Sequence, residues 1–181
     1  LVGILGPNGA GKSTLIKTIM NMIKPNGGYV RIFGKRPKDG IKRIGYIPQK
    51  ESIDWHFPVT VFDVVLMGRY GHHGWFGRIG KEDRKKASEA LEQVNMLTYS
   101  ERPIGNLSGG QQQRVFLARA LAQESEVYLM DEPFAGVDAV TEKAIISILQ
   151  GMKKEGKTLV VVHHDLSSAK EYFDHLLLLN M

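Results

Sequence analysis

The chain has 181 residues, 43% hydrophobic and 24% charged, a composition that supports one folded domain and excludes a fibrous or disordered polypeptide. It contains no cysteine, which excludes disulfides and cysteine-ligated metal and fits a reducing compartment. No run of 18 apolar residues is present, which excludes a spanning helix, and no secretory signal is visible. The net charge of +5 is uneven: residues 1–50 hold ten Lys/Arg against the single acid Asp39, and the remainder has a net of −4. Such a basic part suits a polyanion (nucleotide, nucleic acid or lipid headgroups) or is a solvated basic edge, and apart from Lys12 both readings stand.

In chain order, the apolar run 1–5 reads as a buried strand, 6–11 as a loop, and 12–23 as a helix ended by Lys24-Pro25-Asn26-Gly27-Gly28. Tyr29–Phe33 and Arg43–Ile47 read as short strands. Residues 82–97 read as an amphipathic helix, with Ala87, Ala90, Leu91, Val94 and Leu97 at helical spacing. A helix over 109–122, a strand over Val127–Met130, a helix over 138–154 and a strand over Thr158–Val162 follow. Leu176–Leu179 reads as a last apolar strand. The run at each end reaches almost to the terminus, so the sequence reads as an excerpt of a longer protein. The alternation at both ends predicts an α/β fold with a parallel sheet. The middle, 57–122, reads as a helical insertion between two core parts, 1–56 and 123–181, of a single domain.

Four elements carry chemistry. Gly6-Pro7-Asn8-Gly9-Ala10-Gly11-Lys12-Ser13 is a full match to a phosphate loop, flanked by the strand and helix that such a loop requires. Its glycines let consecutive N–H groups turn toward an anion, the helix adds its positive end, Lys12 reaches terminal phosphates, and the Ser13 hydroxyl can ligate Mg²⁺. Asp131 and Glu132 close the apolar strand 127–130, where unpaired carboxylates are costly and where ligands bind. Asp131 suits Mg²⁺, and Glu132 can orient or deprotonate water. His163 and His164 end the next strand. Adjacent residues of an extended chain point oppositely, so only one can face the site: His164 is expected there and His163 as a surface turn residue. Leu107-Ser108-Gly109-Gly110-Gln111 opens a helix, and its hydroxyl and glycine N–H groups make a second anion grip. His72 and His73 lack ligand spacing.

These elements, in this order, resemble the ATP-binding cassette (ABC) ATPase family over nearly the whole chain. Residues 6–13 look like its Walker A loop, 127–132 like Walker B and 107–111 like its signature. Gln49, after Ile47-Pro48, looks like the Q-loop glutamine, His164 like the switch histidine, and Phe134–Asp138 sits where the D-loop belongs. The resemblance implies a P-loop NTPase core with a helical subdomain between the Q-loop and Walker B. It implies ATP bound by residues 6–13 with Thr14, and Mg²⁺ held by Ser13, Gln49 and Asp131. Catalysis then falls to Glu132 and His164. It also implies a head-to-tail pair of chains, in which Ser108, Gly109, Gly110 and Gln111 complete the partner's site. Two departures are visible. The D-loop reads Phe-Ala-Gly-Val-Asp rather than the common Ser-Ala-Leu-Asp form, and the family's adenine-stacking aromatic would lie upstream of this sequence.

The run Asp54–Val61 with Val65–Gly71 is similar to cassettes of bacterial manganese, zinc and iron importers. This implies a separate membrane permease contacted near Gln49 and residues 51–70, a solute-binding protein acting indirectly, and a peripheral place on the cytoplasmic membrane face. Two other readings are a nucleic-acid or ribosome-associated cassette and a nucleotide-binding regulatory module. Only 57 residues separate Gln49 from Leu107, too few for the long coiled coils of DNA-clamping cassettes, and both Lys12 and Glu132 are present, so no nucleic-acid partner is expected and catalysis is.

Overall fold

A computed structural model describes residues 1–49, 58–73 and 78–180. Five strands, β1 (Val2–Leu5), β2 (Ile44–Ile47), β3 (Val127–Asp131), β4 (Thr158–Val162) and β5 (His175–Leu178), form one parallel sheet in the order β2-β3-β4-β1-β5. Among the described residues seven α-helices accompany them: α1 (Lys12–Ile19), α2 (Pro37–Gly40), α3 (Val61–Leu66), α4 (Lys81–Gln93), α5 (Gly109–Ala122), α6 (Ala139–Lys154) and α7 (Leu166–Tyr172). Among the described residues no helix is long and apolar enough to cross a membrane.

The near-continuous apolar character of β1, β3 and β4 follows from burial on both faces, as parallel sheets require. The period of two then decides which side each residue serves. Ile4, Leu129 and Val162 join Ile16 of α1 and its C-cap Met20 in one core. Leu5, Tyr128, Met130, Leu159 and Val161 face the other way, into a larger core completed by helices α3 to α6. This parity carries through the strand ends and governs the site. The chain leaves β1 for β2 at the sheet's edge and returns through β3 and β4 to β1's side. The order therefore reverses beside β1, the place where open α/β sheets bind ligands at their carboxyl edge.

The described part of 57–122 holds α3, α4 and α5, packed on one another, and no named strand. α5 also packs on β2, so its apolar residues belong to the same large core as the sheet. α3 starts at a reciprocal cap: Asp63 N–H donates to Thr60 Oγ1 at 3.1 Å, and the Asp63 carboxylate accepts from Thr60 N–H at 3.1 Å.

Sequence reading and structure part at several places. Tyr29–Phe33 is not a strand. Phe33 (φ 52°) and Gly34 (φ 74°) both take left-handed backbone and turn the chain back, with Ile32 and Lys35 bonded to each other. Two consecutive positive φ angles end any extended run, and only Ile32 of that stretch is buried. α1 stops at Ile19, short of 23, with Asn21 left-handed just beyond it. α4 stops at Gln93, short of 97, and Asn95 is left-handed there while Met96 N–H returns to the Leu91 carbonyl. α7 was not read from the sequence; Asp165 caps it by accepting from the N–H groups of Ser167 and Ser168.

Candidate active site

β1 ends at Leu5 and the chain turns at once. A Cβ on Gly6 would lie 2.3 Å from the Leu179 carbonyl oxygen, so the loop can leave the sheet here only as glycine. Gly9 (φ 86°) and Gly11 (φ 89°) are left-handed, which curls the loop and sets Gly11 as the N-cap of α1. The Lys12 side chain is 5% exposed, and its ammonium donates to the carbonyls of Gly6 (2.8 Å) and Pro7 (3.0 Å). Two of its three donors therefore fix the ammonium over the loop, and the third can serve a phosphate. Asn8, Gly9, Lys12 and Thr14 line a pocket of about 340 Å³ together with Gln49 and Glu132.

The opposite wall comes from β2 and β3. Asp131 is two residues beyond Leu129, so it shares the α1 side of the sheet. It is 2% exposed and accepts from the Ser13 hydroxyl at 3.1 Å. Glu132 follows with φ 53°, a left-handed conformation that costs a non-glycine residue energy and is found where function holds it in place. In the β2–β3 register Ile47 pairs with Met130, so two residues on Gln49 comes level with Glu132; Gln49 Nε2 lies 3.5 Å from a Glu132 carboxylate oxygen. The pocket thus joins an anion cradle to Glu132 beside the glutamine, and buried Asp131 lies behind it on the serine.

The same parity separates the two histidines. Val162 faces α1, so His163 turns into the large core. It is 3% exposed, ringed by Phe134, Tyr172 and Phe173, and bonded through Nε2 to Ser168 Oγ at 2.9 Å. Burial pushes its pKa down, and the neighbouring His164 adds to this. His163 is therefore no surface turn residue. His164 is exposed at the carboxyl edge and does not line the pocket.

Residues 108–111 also lie outside this pocket. Ser108 caps α5: its hydroxyl accepts from Gln111 N–H at 3.4 Å, and the Gln111 side chain accepts from Ser108 N–H at 2.9 Å. Asp138 caps α6 by accepting from the N–H groups of Val140 and Thr141, and those bonds, Thr141's foremost, hold its carboxyl below the usual range. Sequence reading also missed an ionic cluster behind the helices. Buried Arg69 donates to Asp83 (3.2 Å), Glu124 (2.7 Å) and the Ala122 carbonyl (2.6 Å). His73 bonds the other Asp83 oxygen, and His72 bonds the Gln123 carbonyl, so both have structural partners. The run 51–57 and residues 74–77, on which part of the importer resemblance rests, lie outside the described residues.

A glycine-rich loop running from a parallel strand into a helix, facing an acid at the end of the strand two places away in the sheet, defines a P-loop nucleotide hydrolase. Residues 1–135 match the family model described as ABC transporter, and the chain belongs to that family as an ATPase domain. It is 58% identical over 181 residues to the manganese transport system ATP-binding protein MntB of Bacillus subtilis, covering 100% of this chain and 72% of that protein. It is 57% identical over 178 residues to the zinc transport system ATP-binding protein TroB of Treponema pallidum, covering 98% and 67%. Among solved structures it is similar to an inward-facing metal-chelate type ABC transporter (TM-score 0.87, 31% identity, 99% of this chain and 68% of that one). It also matches a dimeric cassette bound to ADP and phosphate after hydrolysis (TM-score 0.84, 30% identity, 99% and 81%).

Proposed function

We propose that the chain powers the import of a divalent metal ion, manganese or zinc, through a separate membrane permease. The observation that carries this is the 57–58% identity, over almost the whole chain, to ATP-binding proteins of a zinc and a manganese transport system. The metal is cargo for the permease, and no residue of the cassette needs to touch it. The chain sits at the cytoplasmic membrane face, and a solute-binding protein delivers the ion on the other side.

In this reading residues 6–14 hold the phosphates of ATP, with N–H groups of the loop and the Lys12 ammonium carrying the charge. Ser13 and Asp131 offer hard oxygen donors 3.1 Å apart, a set that suits Mg²⁺, an ion that takes one or two carboxylates together with phosphate and water oxygens. Ser13, Asp131 and Gln49 would hold it, and it would supply neutralisation of phosphate charge. Glu132 orients the attacking water and accepts its proton, Gln49 fixes the Glu132 carboxylate, and His164 steadies the γ-phosphate from the strand edge. Ser108, Gly109, Gly110 and Gln111 lie outside the pocket of their own chain and complete that of a second copy. The helical unit 57–122 moves against the core parts 1–56 and 123–181 and passes the motion to the permease.

The test is co-reconstitution of the full-length chain with its permease in sealed vesicles carrying ATP on the cassette side. Accumulation of radiolabelled manganese or zinc only with ATP is expected. ATP hydrolysis stimulated by RNA or ribosomes, with no uptake of either ion, would overturn the assignment.

A further inference from the structure

Gly110 is the second glycine of the signature. Its backbone lies directly against the first turn of α6. A Cβ at this position would meet Thr141 Cγ2 at 2.8 Å, Oγ1 at 3.0 Å and Cβ at 3.4 Å. Gly110 has φ in the ordinary range, so no left-handed backbone demands glycine there. The three nearest atoms all belong to one side chain, Thr141.

That side chain cannot step aside. Thr141 Oγ1 donates to Asp138 Oδ2 at 2.9 Å while Thr141 N–H donates to Asp138 Oδ1 at 2.9 Å. A β-branched residue on a helix has few χ1 choices, and the hydroxyl bond selects one of them. With the hydroxyl anchored, the methyl group is held toward Gly110. Asp138 is itself fixed as the N-cap of α6, a helix of 16 residues whose Ile145 and Leu149 are fully buried. The signature loop therefore rests on a rigid stop.

We propose that Thr141 is a positioning residue. Clamped by Asp138, it sets the height of Gly110 and so of the Ser108–Gln111 loop presented to ATP, and Gly110 is glycine because of Thr141. The inference rests on the reading that residues 108–111 contact a nucleotide, and holds whichever chain's nucleotide that is.

The test is a size-exchange cycle on the full-length chain, assayed for steady-state ATP hydrolysis. Gly110→Ala pushes the loop off the stop, and displacement of order an ångström in a catalytic arrangement costs up to about 10²-fold. A fall of roughly tenfold to a hundredfold in kcat is expected, with nucleotide affinity of the isolated chain at Lys12 retained. Thr141→Ala alone is expected to lower kcat less than about threefold. Combined with Gly110→Ala it removes the two nearest atoms and restores kcat to about that of Thr141→Ala. Thr141→Leu, which enlarges the stop against the native glycine, reproduces the Gly110→Ala defect and carries the test if Gly110→Ala does not fold. A double variant as impaired as Gly110→Ala, or a Thr141→Leu chain with wild-type kcat, overturns the proposal: the glycine would then be required by the nucleotide itself. Ser108→Arg in a mixed pair of chains, assayed alongside, tests separately which chain the loop serves.

Discussion

Ser13 and Asp131 stand 118 residues apart in sequence and 3.1 Å apart in space, and that contact ties the start of α1 to the end of β3. Both oxygens lie on the α1 side because the β3 alternation puts Asp131 below Leu129. A cation shared by the two should feel either change. Ser13→Ala and Asp131→Asn are each expected to weaken Mg²⁺ dependence by roughly 10- to 100-fold, read from ATPase rate against Mg²⁺ concentration. Because the groups touch, the double variant should lose much less than the product of the singles. Independent, multiplicative losses would show that they serve different functions.

Glu132 separates chemistry from binding. Its side chain lines the pocket beside Gln49, while in the proposed reading the grip on phosphate belongs to Lys12 and the loop. Glu132→Gln keeps the shape and removes the base. A fall in kcat of about 10²- to 10⁴-fold is expected, with ATP affinity within a few-fold of wild type. Phosphate release and equilibrium nucleotide binding, measured on the same preparation, decide it. Unchanged hydrolysis would remove Glu132 from its role.

The loop before α1, the acids that end β3 and the Ser108 start of α5 were legible because each depends on local chemistry: glycines at turns, acids ending an apolar run, and a hydroxyl cap. The five strands were legible from apolar runs, with bounds within a residue or two. What escaped was set by distant partners. Phe33 and Gly34 look like the end of a strand until their φ angles are known. His163 is a polar residue after an apolar run, and only the sheet's parity and the aromatic residues 134, 172 and 173 make it a core residue. Arg69, Asp83 and Glu124 span 55 positions, and no spacing rule joins them. The Thr60-x-x-Asp63 cap of α3 is a readable local signal, but the helix it starts is only six residues long and carries little periodicity.

His163 makes stability depend on pH near neutrality. Its folded pKa lies below its ordinary 6.5, chiefly through burial, while Glu142 and Asp165 pull weakly the other way. The unfolded chain then binds the proton more readily. The His163 contribution is intact above about pH 6.5 and is lost as pH falls below it. Urea midpoints should decline from pH 7.5 to 5.5, and His163→Gln, which has no such proton to take up, should flatten that slope. An equal slope in the variant would place the titration elsewhere.

Asp83 acts at lower pH; its pKa is also lowered, but because hydrogen bonds favour its charged form rather than because burial disfavours it. The Gly80 N–H at 2.9 Å, then His73 and Arg69, hold its carboxyl far below the usual range. A depressed acid stabilises the fold above its unfolded pKa, near 4, and loses that contribution as pH falls further. Asp83→Asn should therefore lower the urea midpoint at pH 7, and the gap to wild type should narrow by pH 3. A gap that stays constant across this range would mean that shape rather than charge at Asp83 holds the helices.

Ser108 is exposed, caps its own α5 and does not line the pocket that contains Lys12. If its loop completes a site, that site belongs to another chain, and dimeric cassettes occur among the solved relatives. Ser108→Arg replaces a small hydroxyl at the loop's tip with a long cation, which blocks close approach of a facing chain. In a mixed dimer, Ser108→Arg can be placed in one chain and Lys12→Ala in either. With both changes in the same chain, the wild-type Lys12 of the other chain faces the altered signature, so both sites are damaged and hydrolysis should be lost. With the changes on opposite chains, the same site takes both injuries and the other is whole, so about half the wild-type rate should remain. Separately purified, differently tagged chains allow each pairing to be isolated and its phosphate release measured. The reverse pattern, activity retained only when both changes share a chain, would mean that each signature serves its own phosphate loop.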